Sequence, residues 1–369
     1  MNKLGFLSDG YQKTTSANID SVDATLNSRI KELEDILTQD SLDNIDIDKS
    51  TEDAMNSISK SINDSYFKYY SPSRYNTYLS ESSTNTSNYG VGFLLGEYEG
   101  LAYVVDVFEG SSAQTQGVKQ GDFIVGINGD VRTDWSVSEA SSALSSQDET
   151  SIWVTFRRPK SLSTSGGDEF TLELKTSKTT AQCITSNLDE NVGYIKVAQI
   201  TTDSGDEVSR QVTALEASGA KSYILDLRDC PGGYLTQAKK ICSVFMSSGT
   251  FCQVKTKDGI ASRTIDGMVA TSKPLVVLVN GNTASSAEVI ASALQYNNIA
   301  RVIGVKTMGK GSVQSLKKLS FGGAIKYTVA YYLTPDGKDI ENTGVSPNIY
   351  VENSYNRDNQ YKIAKNLVD

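Results

Sequence analysis

Five consecutive apolar residues, Leu275-Val276-Val277-Leu278-Val279, constrain this chain more than any other stretch. A strand that is apolar at every position has no face to give to water, so it belongs inside a sheet covered on both sides. The polar corner Asn280-Gly281-Asn282-Thr283 follows, and then Ala287, Ile290, Ala291 and Leu294 recur at helical spacing. Such a helix packs one face on the sheet while its first turn presents free N–H groups. Arg301-Val302-Ile303-Gly304-Val305 reads as the next strand, and Lys306-Thr307-Met308-Gly309-Lys310-Gly311 as the loop after it. Strand, turn, helix, strand is the order of an α/β sheet, whose sites gather at the C-terminal ends of its strands.

Ser285 lies where that helix opens. A serine hydroxyl is a weak nucleophile until a base takes its proton. The chain contains no histidine, which excludes a Ser-His-Asp triad, a Cys-His pair and a histidine-ligated zinc within one chain. Lysine is the obvious remaining strong base, provided burial or cationic neighbours let it shed its proton. Lys310 stands between Gly309 and Gly311, whose missing side chains let backbone and substrate come close. Gln314 falls on the same face as Lys310 if the segment is extended. Taken singly, Ser285 reads as an ordinary helix cap and Gly-Lys-Gly as an ordinary turn. Ser286 and Lys306 are the rival nucleophile and base.

A second constellation lies upstream, where the apolar Tyr223-Ile224-Leu225-Asp226-Leu227-Arg228 runs into Asp229-Cys230-Pro231-Gly232-Gly233-Tyr234. Two glycines after a strand end free the backbone to aim an N–H at a developing oxyanion, and the N–H of Ser286 offers a second donor. The choice between Gly232 and Gly233 stays open, as does the plainer reading of a strand-to-helix turn. Cys230 is a rival nucleophile, with no histidine to activate it.

In this order, these motifs resemble the active-site core of the C-terminal processing peptidases, serine enzymes of the tail-specific protease type. Thr283-Ala284-Ser285-Ser286-Ala287-Glu288 stands where that family commonly reads Ser-Ala-Ser-Ala-Ser-Glu. Gly309-Lys310-Gly311-Ser312-Val313-Gln314 fits Gly-Lys-Gly-x-Val-Gln, and the stretch from Asp226 to Gly233 fits Asp-Leu-Arg-x-x-Pro-Gly-Gly. The resemblance implies that Ser285 is the nucleophile, Lys310 the general base and Gln314 the residue that orients the lysine amine. Thr334-Pro335-Asp336-Gly337 and Gly344-Val345-Ser346-Pro347-Asn348 are similar to further family patterns, Thr-Pro-x-Gly and Gly-Ile-x-Pro-Asp. The stretch from about Asn88 to Pro159 resembles a PDZ module. Tyr89-Gly90-Val91-Gly92-Phe93 looks like its carboxylate-binding loop, Val137 to Leu144 like the helix flanking its groove, and Ile152 to Phe156 like a closing strand. Such a loop offers backbone N–H groups to a peptide's C-terminal carboxylate while the adjoining strand edge pairs with the peptide backbone.

The expected architecture is therefore multidomain α/β: an N-terminal helical region over residues 1–85, a PDZ-like β-rich module with its linker over 86–178, and an α/β serine protease core with a mixed sheet and a C-terminal tail over 179–369. In the first region Ile30, Leu33, Ile36 and Leu37 make one apolar face, and Ala54, Met55, Ile58 and Ile62 another. Short amphipathic helices of this kind need a surface to dock on, either their own protease domain or a second subunit in a homodimer. The tyrosines Tyr66, Tyr69, Tyr70, Tyr75 and Tyr78 follow, and Ser161 to Gly167 reads as a hairpin tip or hinge.

A net charge of −9 argues against nucleic acid or an anionic membrane as partner. No run approaches a membrane span, and Met1 to Gln12 lacks the pattern of a signal peptide. The family is usually exported or membrane-tethered, so the resemblance implies an extracytoplasmic place with the anchor absent from this chain. Cys183, Cys230, Cys242 and Cys252 show no metal-binding spacing, and their disulfide state is open. No metal and no cofactor is implied.

The expected function is a serine endopeptidase that forms an acyl-enzyme on Ser285, acting on protein or peptide substrates recognised partly through their C-termini, with a regulatory protein as a further expected partner. The alternatives are a non-catalytic peptide-binding scaffold with a vestigial protease core, and a hydrolase of the same fold acting on a non-peptide ester or amide.

Overall fold

The computed structural model describes residues 26–41, 45–76, 89–132, 134–146, 148–160, 162–163, 165–178, 183–267, 269–354 and 357–368. Tyr78, Asn88, Ser161 and the stretch Met1 to Gln12 named above lie outside them. The chain divides after Ile58 into two compact units. The first holds helix α1 (Leu26–Asp40) and most of α2 (Ile47–Ser61). Ile30, Leu33, Ile36 and Leu37 do line one face of α1, and all four are exposed.

In the second unit the tyrosine-rich segment forms strand β1 (Lys68–Tyr70), and residues 72–76 are helical again. Tyr66, Tyr69 and Tyr70 are buried. A β-rich module follows. Its short ladder β2 (Tyr89–Gly90) with β9 (Ser177–Lys178) joins the two ends where the chain enters and leaves. Between them β3 (Phe93–Tyr98), β4 (Leu101–Val107), β5 (Phe123–Ile127), β7 (Ser151–Arg158) and β8 (Asp168–Lys175) form one antiparallel sheet in that order, with β6 (Asp130–Val131) on β5. Helices α3 (Ser112–Gln116) and α4 (Val137–Ala143) cover it, and α4 flanks β3 as the groove helix should. Arg158 pairs with Asp168, so β7 and β8 form a hairpin.

The core sheet runs β10 (Ile184–Asp189), β11 (Val192–Val197), β12 (Ser222–Asp226), β15 (Leu275–Val279), β16 (Ala300–Gly304) and β19 (Ile349–Tyr350). It is mixed, because β10 is antiparallel to β11 while the rest are parallel. Leu275, Val277 and Val279 of β15 pack into one apolar cluster with Val212 and Leu215 of α5 (Ser204–Ala217), Ile241 of α6 (Leu235–Phe245) and Ile290 and Leu294 of α7 (Ser286–Tyr296). Val276 and Leu278 point the other way, against Ala364 and Val368 of α8 (Asn359–Val368). The central strand is thus buried on both faces, at about 1.5–3 kcal/mol for each fully buried side chain.

A second sheet takes up the chain after Lys310. Its order is β1, β18 (Ala324–Leu333), β13 (Ser248–Thr256) and β14 (Gly259–Asp266), and β17 (Ser312–Lys318) also pairs with β18. Lys310 therefore lies in the connection from the core sheet to β17, and Gln314 lies on β17 itself.

Candidate active site

Ser285 is the N-cap of α7, one position earlier than a first-turn residue, with φ 56° and ψ −126°. A non-glycine residue held there is strained, and such strain persists only where neighbours over-determine it. The neighbours are two loops stitched to the cap. The Thr283 hydroxyl donates to Leu227 O at 2.8 Å, and Ala284 N donates to Cys230 O at 2.9 Å. Asn280 Nδ2 and Asn282 Nδ2 both donate to Asp229 Oδ1, at 2.8 and 2.9 Å. These bonds seat the Asp229-to-Gly233 loop beside the serine. A Cβ on Gly232 would lie 2.7 Å from Ala284 O and 3.0 Å from Ser285 Cβ, so only glycine allows the approach.

The glycines differ in what their N–H groups face. The backbone N–H of Gly232 acts on the Cys230 thiol against the upward push of burial. Ile200 N bonds Gly232 O and Tyr234 N bonds Ile200 O, as in a parallel bridge. The N–H of Gly233 consequently faces the opposite edge, and Gly233 is exposed. Ser286 N opens α7, where no acceptor exists within the helix.

Glu288 was not singled out in the sequence for any role, and it organises the site. It is fully buried, and every partner donates to it. Oε2 accepts Ser285 N and Lys310 N, both at 2.8 Å, and Oε1 accepts Gly309 N at 2.8 Å and the Thr307 hydroxyl. One carboxylate therefore holds the backbone of Ser285 and the backbone of Lys310. Burial pushes its carboxyl up to about 7, while the four donors pull the other way. Thr307 in turn accepts Val345 N at 2.7 Å, which fixes its hydroxyl proton on Glu288. The signal in the sequence was Ser-x-x-Glu, the capping-box spacing.

The lysine amine is engaged elsewhere. Lys310 Nζ lies 2.6 Å from Glu97 Oε2, and Lys326 Nζ 2.7 Å from Glu97 Oε1. Glu97 belongs to β3 of the β-rich module, and it and Lys310 are nearly buried at 11% and 12% exposure. Burial opposes the charge on Glu97, but the two lysines outweigh it and hold its carboxyl well below the usual carboxylate range. The Tyr66 ring lies 5.3 Å from Lys310 Nζ. Gln314 donates from Nε2 to the Thr328 hydroxyl at 3.4 Å, so it does not contact Lys310 in this arrangement. The module touches the other catalytic loop as well. Gln120 Nε2 donates to Asp229 Oδ1 at 2.7 Å, and Met308 packs on the cluster of Tyr103, Val105 and Phe123.

The rivals fare poorly. Ser286 is buried and Lys306 is exposed. Burial pushes the Cys230 thiol up to about 12, which leaves no thiolate, and Cys230, Cys242 and Cys252 are free thiols. No group of histidine, cysteine or carboxylate residues able to hold a metal occurs among the described residues.

The peptide loop expected at Tyr89, Gly90, Val91, Gly92 and Phe93 runs from β2 into β3. Gly92 has φ 98°, and a Cβ there would meet Ser111 Cβ at 2.1 Å. Its carbonyl accepts Phe108 N at 2.9 Å, and Val91 O accepts Ala113 N at 3.2 Å. These bonds occupy carbonyls on the module's side. Among the described residues β3 has no second sheet neighbour, so one edge of it is open beside α4.

Comparison with known proteins gives this geometry a family. Residues 191–351 match Peptidase family S41, and residues 103–158 match the PDZ domain. The chain is 31% identical over 310 residues to carboxy-terminal processing protease CtpA of Bacillus subtilis, covering 83% of this chain and 65% of that protein. It is 32% identical over 308 residues to a carboxyl-terminal-processing protease of Synechocystis sp., covering 82% of this chain and 71% of that one. Among solved structures it is similar to a photosystem II D1 C-terminal processing protease, with a TM-score of 0.68 and 26% identity over 88% of this chain and 86% of the other. The chain belongs to peptidase family S41, among the carboxyl-terminal processing serine proteases, and carries their PDZ domain.

Proposed function

We propose that this protease cleaves proteins or peptides through an acyl-enzyme on Ser285, with Lys310 as general base and Gln314 orienting the lysine amine. The observation that carries this reading is the Glu288 carboxylate, which binds the N–H of Ser285 and the N–H of Lys310 at once. The carbonyl oxygen of the scissile bond would sit between the N–H groups of Gly233 and Ser286, where negative charge develops on attack. Gly232, the other candidate, is buried, while Gly233 is exposed. Lys310 takes the serine proton, returns it to the leaving amine, and then draws a proton from the water that releases the acyl group. Ser285→Ala and Lys310→Ala should each lower kcat on the order of ten-thousandfold, and the double variant should be little worse, because the pair acts as a unit. Ser286→Ala and Lys306→Ala should keep most turnover. Collapse in Lys306→Ala with Lys310→Ala active would reverse the assignment.

Lys310 Nζ donates a charge-assisted hydrogen bond to the Glu97 carboxylate 2.6 Å away and is spent there instead of receiving the serine proton. We therefore read this arrangement as a closed one, in which Lys310 must leave Glu97 before it acts. Glu97→Gln should raise basal turnover of a short peptide by roughly three- to tenfold, since one charge-assisted bond of about 1.5–3 kcal/mol is weakened while Lys326 still contends for the site. Lower turnover in the folded variant would mean that Glu97 assists the chemistry.

The open edge of β3 and the Tyr89-to-Phe93 loop support recognition of a free C-terminus. A peptide amidated at its C-terminus should bind about 1.5–3 kcal/mol more weakly than the free acid, the scale of hydrogen bonds to a charged group. Equal cleavage rates for the two at subsaturating concentration would remove the PDZ domain from substrate recognition and leave the Ser285 chemistry standing. The extracytoplasmic place implied by the family is part of the same reading. No helix among the described residues is long and apolar enough to cross a membrane.

A further inference from the structure

The turn ahead of β1 touches the base's surroundings at two points that the reaction above leaves unused. Tyr66 N donates to Asp64 Oδ1 at 3.0 Å and Phe67 N to Asp64 O at 3.0 Å, so Asp64 shapes the turn that lays Tyr66 under Lys310. The same carboxylate reaches β18. Its Oδ2 accepts Thr328 N at 2.8 Å, and its Oδ1 accepts the Thr328 hydroxyl at 2.9 Å. The ladder between β17 and β18 is irregular here, with Val313 opposite Ala330 and Gln314 opposite Thr328, so Val329 is the extra residue. Gln314 Nε2 meets the Thr328 oxygen from the other side, at 3.4 Å.

The direction of this chain of bonds is set at its far end. An ionised carboxylate only accepts, so the Thr328 proton is committed to Asp64 and the Thr328 oxygen has only lone pairs to offer. Gln314 must then turn its NH2 toward Thr328, which leaves Oε1 as the free end of the amide. An oxygen at that end accepts an N–H from a neutral lysine amine and leaves the amine's lone pair for the serine proton; an NH2 at that end would donate into the lone pair and block it.

We infer that Asp64 is a positioning residue for catalysis, acting through the Thr328 hydroxyl to fix which way the Gln314 amide faces. The inference rests on the Ser285–Lys310–Gln314 reading and adds two residues that contact neither substrate nor serine.

Steady-state kinetics of the full chain on one peptide test it, using Asp64→Asn, Thr328→Val and Thr328→Ser, each alone and combined with Gln314→Ala. Asparagine in place of Asp64 can donate to Thr328 and release the hydroxyl proton toward Gln314, reversing the chain. Asp64→Asn and Thr328→Val should each lower kcat roughly ten- to a hundredfold at nearly unchanged KM, on the usual scale of positioning effects. Thr328→Ser, which keeps the hydroxyl, should restore most of the loss. In the Gln314→Ala background, neither Asp64→Asn nor Thr328→Val should cost more than about twofold further, because coupled residues are not additive. The inference is overturned if Asp64→Asn has its full effect without Gln314, since that would be a purely structural role. Full turnover in Gln314→Ala overturns it as well, while Ser285→Ala and Lys310→Ala judge the dyad separately. If Asp64→Asn fails to fold, the contrast between Thr328→Val and Thr328→Ser decides on its own: equal kcat in the two folded variants overturns the inference.

Discussion

The site depends on one buried carboxylate being satisfied by donors from two loops. Glu288 has no exposure, and a charge in that position is costly unless hydrogen bonds replace its water. Four donors do so, and two of them are the backbone N–H groups of Ser285 and Lys310. The desolvation penalty thus works as a registration force. Either loop can move only by stripping a donor from a buried carboxylate, so the serine cap and the lysine loop keep their backbones in fixed relation even when the lysine side chain turns away.

That separation of backbone from side chain leaves the Lys310 amine on the PDZ domain while its loop stays anchored to Glu288. Glu97 reaches Lys310 from the strand whose free edge would receive a peptide, and Gln120 reaches Asp229 beside the oxyanion loop. Both contacts are polar, as are the ion pairs of Lys68 and Arg74 with Asp134 and Glu139 of the module. Met308 adds an apolar contact against Tyr103, Val105 and Phe123. A junction of this kind resembles interfaces between domains that move, which are smaller and more polar than a core.

Much of this was legible in the residues. Leu275 to Val279 announced a strand buried on both faces because no other placement accommodates five apolar side chains in a row, and the strand bounds agree to the residue. The missing histidine narrowed the search for a base, and the Gly-Gly turn pointed to the loop that lies against Ser285. The tyrosine-rich segment misled, because its tyrosines pack β1 onto a sheet edge that forms only when β18 arrives from the far end of the chain. Glu97 and Asp64 were illegible for the same reason. Their partners lie 213 and 264 residues away, with no periodicity or motif linking them. Local pattern reports on helices, strands and turns; the pairing of two charges across such distances is decided by the fold.

Acylation of Ser285 in a Glu288→Gln variant tests the account at its centre. A glutamine keeps the shape but turns an NH2 toward two of the four donors, so the serine and lysine loops lose their common anchor. Mass measurement of the chain during reaction with a serine-reactive phosphonate, with peptide mapping of the adduct, reads the step directly. The account predicts labelling at Ser285 in the wild-type chain and roughly a hundredfold slower labelling in the folded variant, the scale of lost positioning. Labelling of Ser285 at the wild-type rate in Glu288→Gln, or an adduct on another serine, would contradict it.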